Sequence, residues 1–269
     1  MITDVVQRSR GRRQSWRPAG EVIDTSRYEV AEIAGEGADT ICRGFVERHH
    51  YSGSYPAALR RFGLFRGDEL VGVAVYSMPW QRSLDRIDCP WSNRDVVELS
   101  RFVLLDDVPG NGESWFLARC HRELWSLGLA GVLSYSDPMA RTTDEGLVVF
   151  PGHVGTIYQA SNAVYLGHAS SRVQHMFADG SILSDRQQSK IRRGERGADY
   201  AVAELVKRGA VAPASGADMK AWLGDWRRML CRPVRHPGNH TYLWALHRRL
   251  KKFLPDGQAY PKFRLGGVQ

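Results

Sequence analysis

The chain has 269 residues, 43% hydrophobic and 25% charged, long enough to bury a sizeable core as one large domain or one domain with an extension. No run of about eighteen apolar residues occurs, which excludes a membrane-spanning helix. The net charge of +8 is uneven: residues 186–269 carry 18 Lys/Arg against 6 Asp/Glu, residues 1–28 carry 6 against 3, and residues 29–185 carry 13 against 20. An acidic body thus precedes a basic tail of the kind that neutralises phosphates, although a solvated basic face has the same composition.

Residues 1–28, with Arg8, Arg10, Arg12 and Arg13 and no periodicity, read as a flexible basic arm; no apolar stretch makes them a secretory signal. From Tyr28 the pattern is globular. A helix is expected from Ala38 to Arg48, ending before His49-His50-Tyr51, and Gly53-Ser54-Tyr55-Pro56 reads as a turn. Strands are expected at 61–66 and 70–78, joined as a hairpin through Gly67-Asp68-Glu69, followed by a surface loop over 79–93 and a strand at 96–105. A loop rich in Asp and Gly then leads to a helix over 115–127, where Phe116, Cys120, Leu124 and Leu127 recur at helical spacing and Gly128 stands at the C-cap. A strand at 131–136 stops at Asp137-Pro138, residues 139–152 form an excursion, and a helix over 156–165 and a strand over 171–177 complete the core. In the tail, helices are expected at 200–207, 217–230 and 241–253, the last with Leu243, Leu246, Leu250 and Phe253 on one face.

The fold class that follows is α/β: a mixed central sheet flanked by helices over residues 29–185, an arm at 1–28, and a basic, mostly helical, nucleic-acid-binding extension at 186–269. Four scattered cysteines (Cys42, Cys89, Cys120, Cys231) without a CxxC pair fit a reduced, cytoplasmic setting.

Four constellations carry possible chemistry. The loop with Gly110, Asn111, Gly112 and Ser114 places backbone N–H groups at a helix start, a site for an anion unless it is merely a turn. Asp137 ends a strand where ligands of open α/β sheets bind, unless Asp-Pro is only a strand stop. On the expected helix 156–165, Tyr158, Asn162 and Tyr165 share one face at i, i+4 and i+7, and either tyrosine is placed to donate a proton. His49-His50-Tyr51 offers aromatic groups for an acceptor pocket or is an exposed spectator. Arg101, in the expected central strand with Ser100, needs an anionic partner: a donor phosphate, Asp137 or a structural carboxylate.

The order strand, Gly-x-Gly loop, helix, strand, helix, strand resembles the GNAT acyltransferase core, whose loop holds the pyrophosphate of an acyl-CoA; here Asp107 stands where that loop carries Gln or Arg. The set His50-Tyr51-Ser52-Gly53, Glu98-Leu99-Ser100-Arg101-Phe102, Ser136-Asp137-Pro138, the run from Gly152 to Asn162, and His240-Thr241-Tyr242 resembles the phage Mom DNA-modification family over roughly residues 40–250. The resemblance implies a GNAT-like enzyme that converts adenine in double-stranded phage DNA to its N6-carbamoylmethyl form and so shields it from host restriction. It implies His50, Tyr51, Arg101, Asp137 and Tyr158 as active-site positions. Ser100, Gly110, Asn111, Gly112, Ser114, Asn162 and Tyr165 would hold the donor, and Arg192, Arg193, Arg235, Arg248, Arg249, Lys251 and Lys252 the DNA. The donor is either acetyl-CoA, with a redox metal such as iron for which His50, Tyr51 and Asp137 are conceivable ligands, or a glycyl ester or thioester such as glycyl-tRNA, which needs acid–base chemistry alone and suits Asp107 better. An acyltransferase acting on a small amine or protein, and a non-catalytic DNA-binding protein, are the competing readings.

Overall fold

The computed structural model describes residues 5–10, 13–18, 22–80 and 83–262. Of the expected arm, residues 1–4, 11–12 and 19–21 lie outside the described residues; β1 (Val5–Arg10) and β2 (Arg13–Pro18) pair as an antiparallel hairpin. The chain divides into two compact units, one made of residues 1–138, 153–169 and 239–269, the other of 139–152 and 170–238.

The first unit is built on a seven-stranded sheet. Its strands are β3 (Tyr28–Glu32), β4 (Arg60–Arg66), β5 (Glu69–Ser77), β6 (Val96–Leu104), β7 (Gly131–Ser136), β10 (Val164–His168) and β14 (His240–Ala245), in the spatial order β10-β14-β7-β6-β5-β4-β3. All neighbours are antiparallel except β6 and β7, which run parallel. This one parallel pair, linked by a loop and helix α2 (Gly112–Ser126), gives the expected mixed central sheet.

Residues 71–77 of β5 and 241–244 of β14 are wholly buried, because a central strand covered on both faces reads as a continuous apolar run rather than an alternating one. Helix α1 (Ala38–His49) packs Cys42 and Val46 against Val73, Val75 and Val103 on one side of the sheet. Helix α2 presents Phe116, Leu117, Cys120 and Leu124, at helical spacing, to Phe62, Leu64, Ala74, Tyr76, Val97 and Leu99.

In the second unit, β11 (Arg172–Phe177) lies between β12 (Ile182–Leu183) and β13 (Cys231–His236). Helices α4 (Asp185–Arg193), α5 (Ala198–Lys207) and α6 (Met219–Leu230) enclose a core of Phe177, Leu183, Ile191, Leu205, Leu223 and Cys231. Strands β8 (Arg141–Thr142) and β9 (Val148–Phe150) form a short hairpin. Among the described residues, no helix is long and apolar enough to cross a membrane.

Three expectations change. The expected boundary between residues 185 and 186 falls inside the second unit, and the strand 171–177 belongs to that unit rather than to the core sheet. The expected helix 241–253 is strand β14, inserted between β7 and β10, followed by a 3-10 turn at Arg248–Phe253. Leu243 lies in the sheet because His-Thr-Tyr-Leu-Trp, rich in aromatic and β-branched groups, is stabilised by two long-range ladders that periodicity does not reveal. Helix α4, absent from the expectation, has a capping box formed by Ser184 and Gln187.

Candidate active site

The parallel ladder between β6 and β7 runs from Val96↔Gly131 to Leu99↔Ser134 and stops. Beyond it, β6 stays paired with β5 and β7 with β14, so the sheet opens at this point. The hydroxyl of Ser134, fully buried, donates to the Leu99 carbonyl at 2.9 Å at the edge of the opening.

Strand β6 carries an irregularity here: Val75 pairs with Arg101 and Tyr76 with Leu99, which leaves Ser100 as the extra residue of a bulge. A bulge re-aims the side chains around it. The Arg101 guanidinium donates through Nε to the Ser54 carbonyl (2.8 Å), through Nη2 to Ser54 Oγ (2.9 Å) and through Nη1 to the Ser100 carbonyl (2.6 Å). Burial pulls its pKa down, while Tyr51, Glu98 and Tyr158 favour the cation. The carboxylate that offsets its charge is Glu98, three residues back on the same strand, the structural carboxylate among the three expected partners rather than Asp137. Burial raises the pKa of Glu98, opposed by the Ser100 hydroxyl, 3.2 Å from Oε1, and by Arg101.

Tyr158 sits on helix α3 (Thr156–Ala160), 8% exposed, packed edge-on against Tyr242 and Trp244 with ring centroids 5.3 Å apart in each case. Burial raises its pKa, so the phenol is neutral near pH 7; a hydrogen bond to Ser134 and the charge of Arg101 act in the opposite sense. Gly155, at φ +65°, opens α3, and a Cβ there would lie 2.7 Å from the Tyr158 ring and 2.8 Å from that of Tyr242. Only glycine lets both rings close over this turn.

After α1, the His50 and Tyr51 rings lie 4.3 Å apart, His50 Nδ1 is 2.9 Å from Ser52 Oγ, and the Tyr51 hydroxyl is 3.1 Å from His153 Nε2. Burial, then the charges of Arg101 and His153, hold the His50 pKa well below 6.5. The structure thus brings together Tyr51, Arg101 and Tyr158 with His50. It adds Glu98, Ser134 and His153, which stand inside the motifs but have no role assigned from sequence. The one cue for Glu98 is a carboxylate in a strand of mostly apolar residues.

Asp137 follows the end of β7, and its charge acts on His240, which opens β14. The excursion after it closes on itself, since the His153 N–H donates to the Asp137 carbonyl at 2.8 Å. The order of Asp137, Gly152-His153 and Tyr158 is thereby kept.

The loop before α2 departs from an open anion cradle. Gly112 N–H donates to the Pro109 carbonyl (2.8 Å), Ser114 Oγ to the Asn111 carbonyl (3.0 Å), and Asn111 Oδ1 accepts from Ile23 N–H (2.7 Å). Gly112 is small for an internal reason: a Cβ would lie 2.6 Å from Val108 Cγ1. Asp107 is ion-paired to Arg66 at 2.8 Å. Gly110 precedes these residues in the same loop.

The expected polar face of a helix 156–165 does not form. Helix α3 ends at Ala160, Asn162 is left-handed at φ 62° with its side chain exposed, and Tyr165 lies in β10. Backbone geometry at Asn162 breaks the helix before the i, i+7 relation is reached.

Among the described residues, no group of three or more His, Cys, Asp and Glu side chains is arranged to hold a metal ion. The trio His50, Tyr51 and Asp137 does not suit one: Arg101 places a cation beside His50, and Tyr51 is paired to His153. The expected DNA contacts fall in both units. Arg192 and Arg193 end α4 and Arg235 lies on β13, while Arg248, Arg249, Lys251 and Lys252 form the 3-10 turn after β14; all seven are exposed.

The chain is similar to solved structures of an N-acetyltransferase from Staphylococcus aureus Mu50 (10% identity, 82% of this chain and 99% of that one, TM-score 0.36) and an acetyltransferase from Bacillus subtilis in complex with CoA (11% identity, 81% and 97%, TM-score 0.31). The chain is also 28% identical over 162 residues to the methylcarbamoylase Mom of Escherichia phage Mu, a match spanning 57% of this chain and 60% of that protein. Residues 27–216 match the model of the Mom protein family, and the chain belongs to that family.

Proposed function

We propose that the protein is a DNA-modifying acyltransferase that turns adenine into N6-carbamoylmethyladenine in double-stranded phage DNA and so hides restriction sites. The observation that carries this proposal is the convergence of Arg101, Tyr158, Tyr51 and Glu98 where β6 and β7 part. It is supported by membership of the Mom family and by the similarity to a methylcarbamoylase.

Adenine leaves the base stack at a cost of a few kcal/mol, offset by the aromatic faces of Tyr51 and His50. Arg101, fixed by three acceptors, is preorganised to stabilise negative charge on the attacked carbonyl oxygen. Tyr158, neutral because it is buried, protonates the leaving group, and Asp137 accepts the N6 proton.

With a glycyl ester or thioester such as glycyl-tRNA as donor, the atoms balance through proton transfers alone. N6 attacks the glycyl carbonyl and the donor's hydroxyl or thiol leaves, protonated. The free glycyl amine then attacks C6 through a five-membered ring, the C6–N6 bond breaks, and the original nitrogen departs as the carboxamide. The residues at hand do not fit the metal that an acetyl-CoA route would call on.

The test is nucleoside analysis of DNA treated with purified protein and either glycyl-tRNA or acetyl-CoA. A new adenine nucleoside, heavier by one glycyl unit, is expected with the glycyl donor. Unmodified DNA together with acylation of a small amine would overturn the proposal.

A further inference from the structure

On the far side of β7 from Arg101 lies a second polar cluster that the chemistry above does not use. His240 is cross-strand from Ser136 in β7 and from His168 in β10. It is 4% exposed, and its Nδ1 is 2.8 Å from the hydroxyl of Tyr165, itself 5% exposed. The exposed His168 ring packs edge-on against it at 4.4 Å. His168 reaches that position through a bulge in β10 between Tyr165 and His168, centred on Gly167 at φ +87°. Ser136 Oγ is also fully buried and has no hydrogen-bond partner among the described residues. Asp137 follows Ser136 directly.

Buried polar groups beside a strand end are costly unless their hydrogen bonds serve one another. A phenol that donates to Nδ1 leaves the imidazole proton on Nε2, so the ring becomes a donor on its other edge. The group whose charge favours such a donor is Asp137, which raises the proton affinity of His240 against the effects of burial and of His168.

We infer that His240, backed by Tyr165, is a positioning residue for Asp137: it orients the carboxylate and keeps it ionised to take the proton from adenine N6. The inference rests on the role proposed for Asp137. The titratable groups that face His240 are Asp137, just after β7, and Tyr165 and His168 from β10; Tyr242, on β14 itself, packs against Tyr165 at 5.2 Å.

The experiment compares Tyr165→Phe, His240→Asn and His240→Gln in the full chain, reading single-turnover modification against pH and DNA affinity. Tyr165→Phe and His240→Asn are expected to slow modification about tenfold to a hundredfold. They should move the acid limb of the pH profile upward and leave DNA affinity unchanged. His240→Gln, which keeps an N–H near the Nε2 position, should recover part of the rate. An acid limb and rate equal to wild type in Tyr165→Phe would overturn the inference; this variant removes one oxygen and decides the matter even if the His240 variants do not fold. Should wild-type protein make no modified nucleoside, or Asp137→Asn match it, the functional proposal itself falls, an outcome separate from a normal wild type with indifferent Tyr165 and His240 variants.

Discussion

Ser134 and Leu99 are the last partners of the parallel ladder, and they are joined twice: by register and by a 2.9 Å hydrogen bond from the Ser134 hydroxyl to the Leu99 carbonyl. The same hydroxyl is also hydrogen-bonded with Tyr158, which lowers the phenol's pKa. Ser134→Ala therefore removes two bonds at a buried place. Unfolding in urea is expected to show a loss of about 1–3 kcal/mol, with a larger fall in modification than the stability change explains, because Tyr158 loses its anchor.

Tyr158→Phe keeps the ring contacts with Tyr242 and Trp244 and deletes the proton donor. Turnover should drop by roughly a hundredfold or more, with a melting temperature close to wild type. A variant with near-normal turnover would remove Tyr158 from the chemistry.

Two glycines should respond in opposite senses. Gly112→Ala drives a Cβ to within 2.6 Å of Val108 and should cost about 1–3 kcal/mol. Gly44 lies inside α1, where an added Cβ would meet nothing within 4 Å, so Gly44→Ala should add about 0.5–1 kcal/mol. Paired denaturant titrations check both.

Stability should fall with acid. His121 and His240 are held to a pKa of about 4, mainly by burial, below the usual 6.5. The unfolded chain binds more protons than the native one between these values, so their contribution is complete above about pH 6.5 and is lost as pH falls toward 4. Each histidine contributes a slope of at most about 1.4 kcal/mol per pH unit. His121 Nε2 is buried without a hydrogen-bond partner among the described residues, so His121→Leu should both raise stability and flatten the acid slope, as measured by urea unfolding at pH 5 and pH 7.

For DNA, neutralising Arg248, Arg249, Lys251 and Lys252 together should weaken binding at every sequence and reduce the slope of log K against log salt by about 0.9 for each phosphate no longer neutralised. Neutralising Arg192, Arg193 and Arg235 tests the second unit in the same way. A slope unchanged in both sets would mean that neither surface meets the phosphates.

The sequence was most legible where structure is local. Helix α1, the hairpin of β4 and β5, strand β6, helix α2 and strand β7 follow from periodicity, turn residues and the cap at Gly128, and they place Arg101 and Tyr51. What escaped it depends on distant partners. Strand β14 is apolar for only a few residues and is followed by basic ones; it becomes a strand because β7 and β10, far away in the chain, supply its ladders. Glu98 and His153 gain meaning only from Arg101 and Tyr51, which no spacing rule connects to them. The helix at 156–165 failed at one residue, Asn162, whose backbone turn outweighs a regular polar pattern.

The second unit leaves the first at two points, and each is pinched by one main-chain bond: His153 N–H to Asp137 at the first, Ala169 N–H to Asn239 at the second, both 2.8 Å. A chain that departs and returns beside a main-chain hydrogen bond asks little of what lies between. The intervening residues are free to lengthen, shrink or change their charge while the catalytic sheet keeps its register. The length and charge of the inserted unit are thus open to change independently of the sheet that carries Arg101.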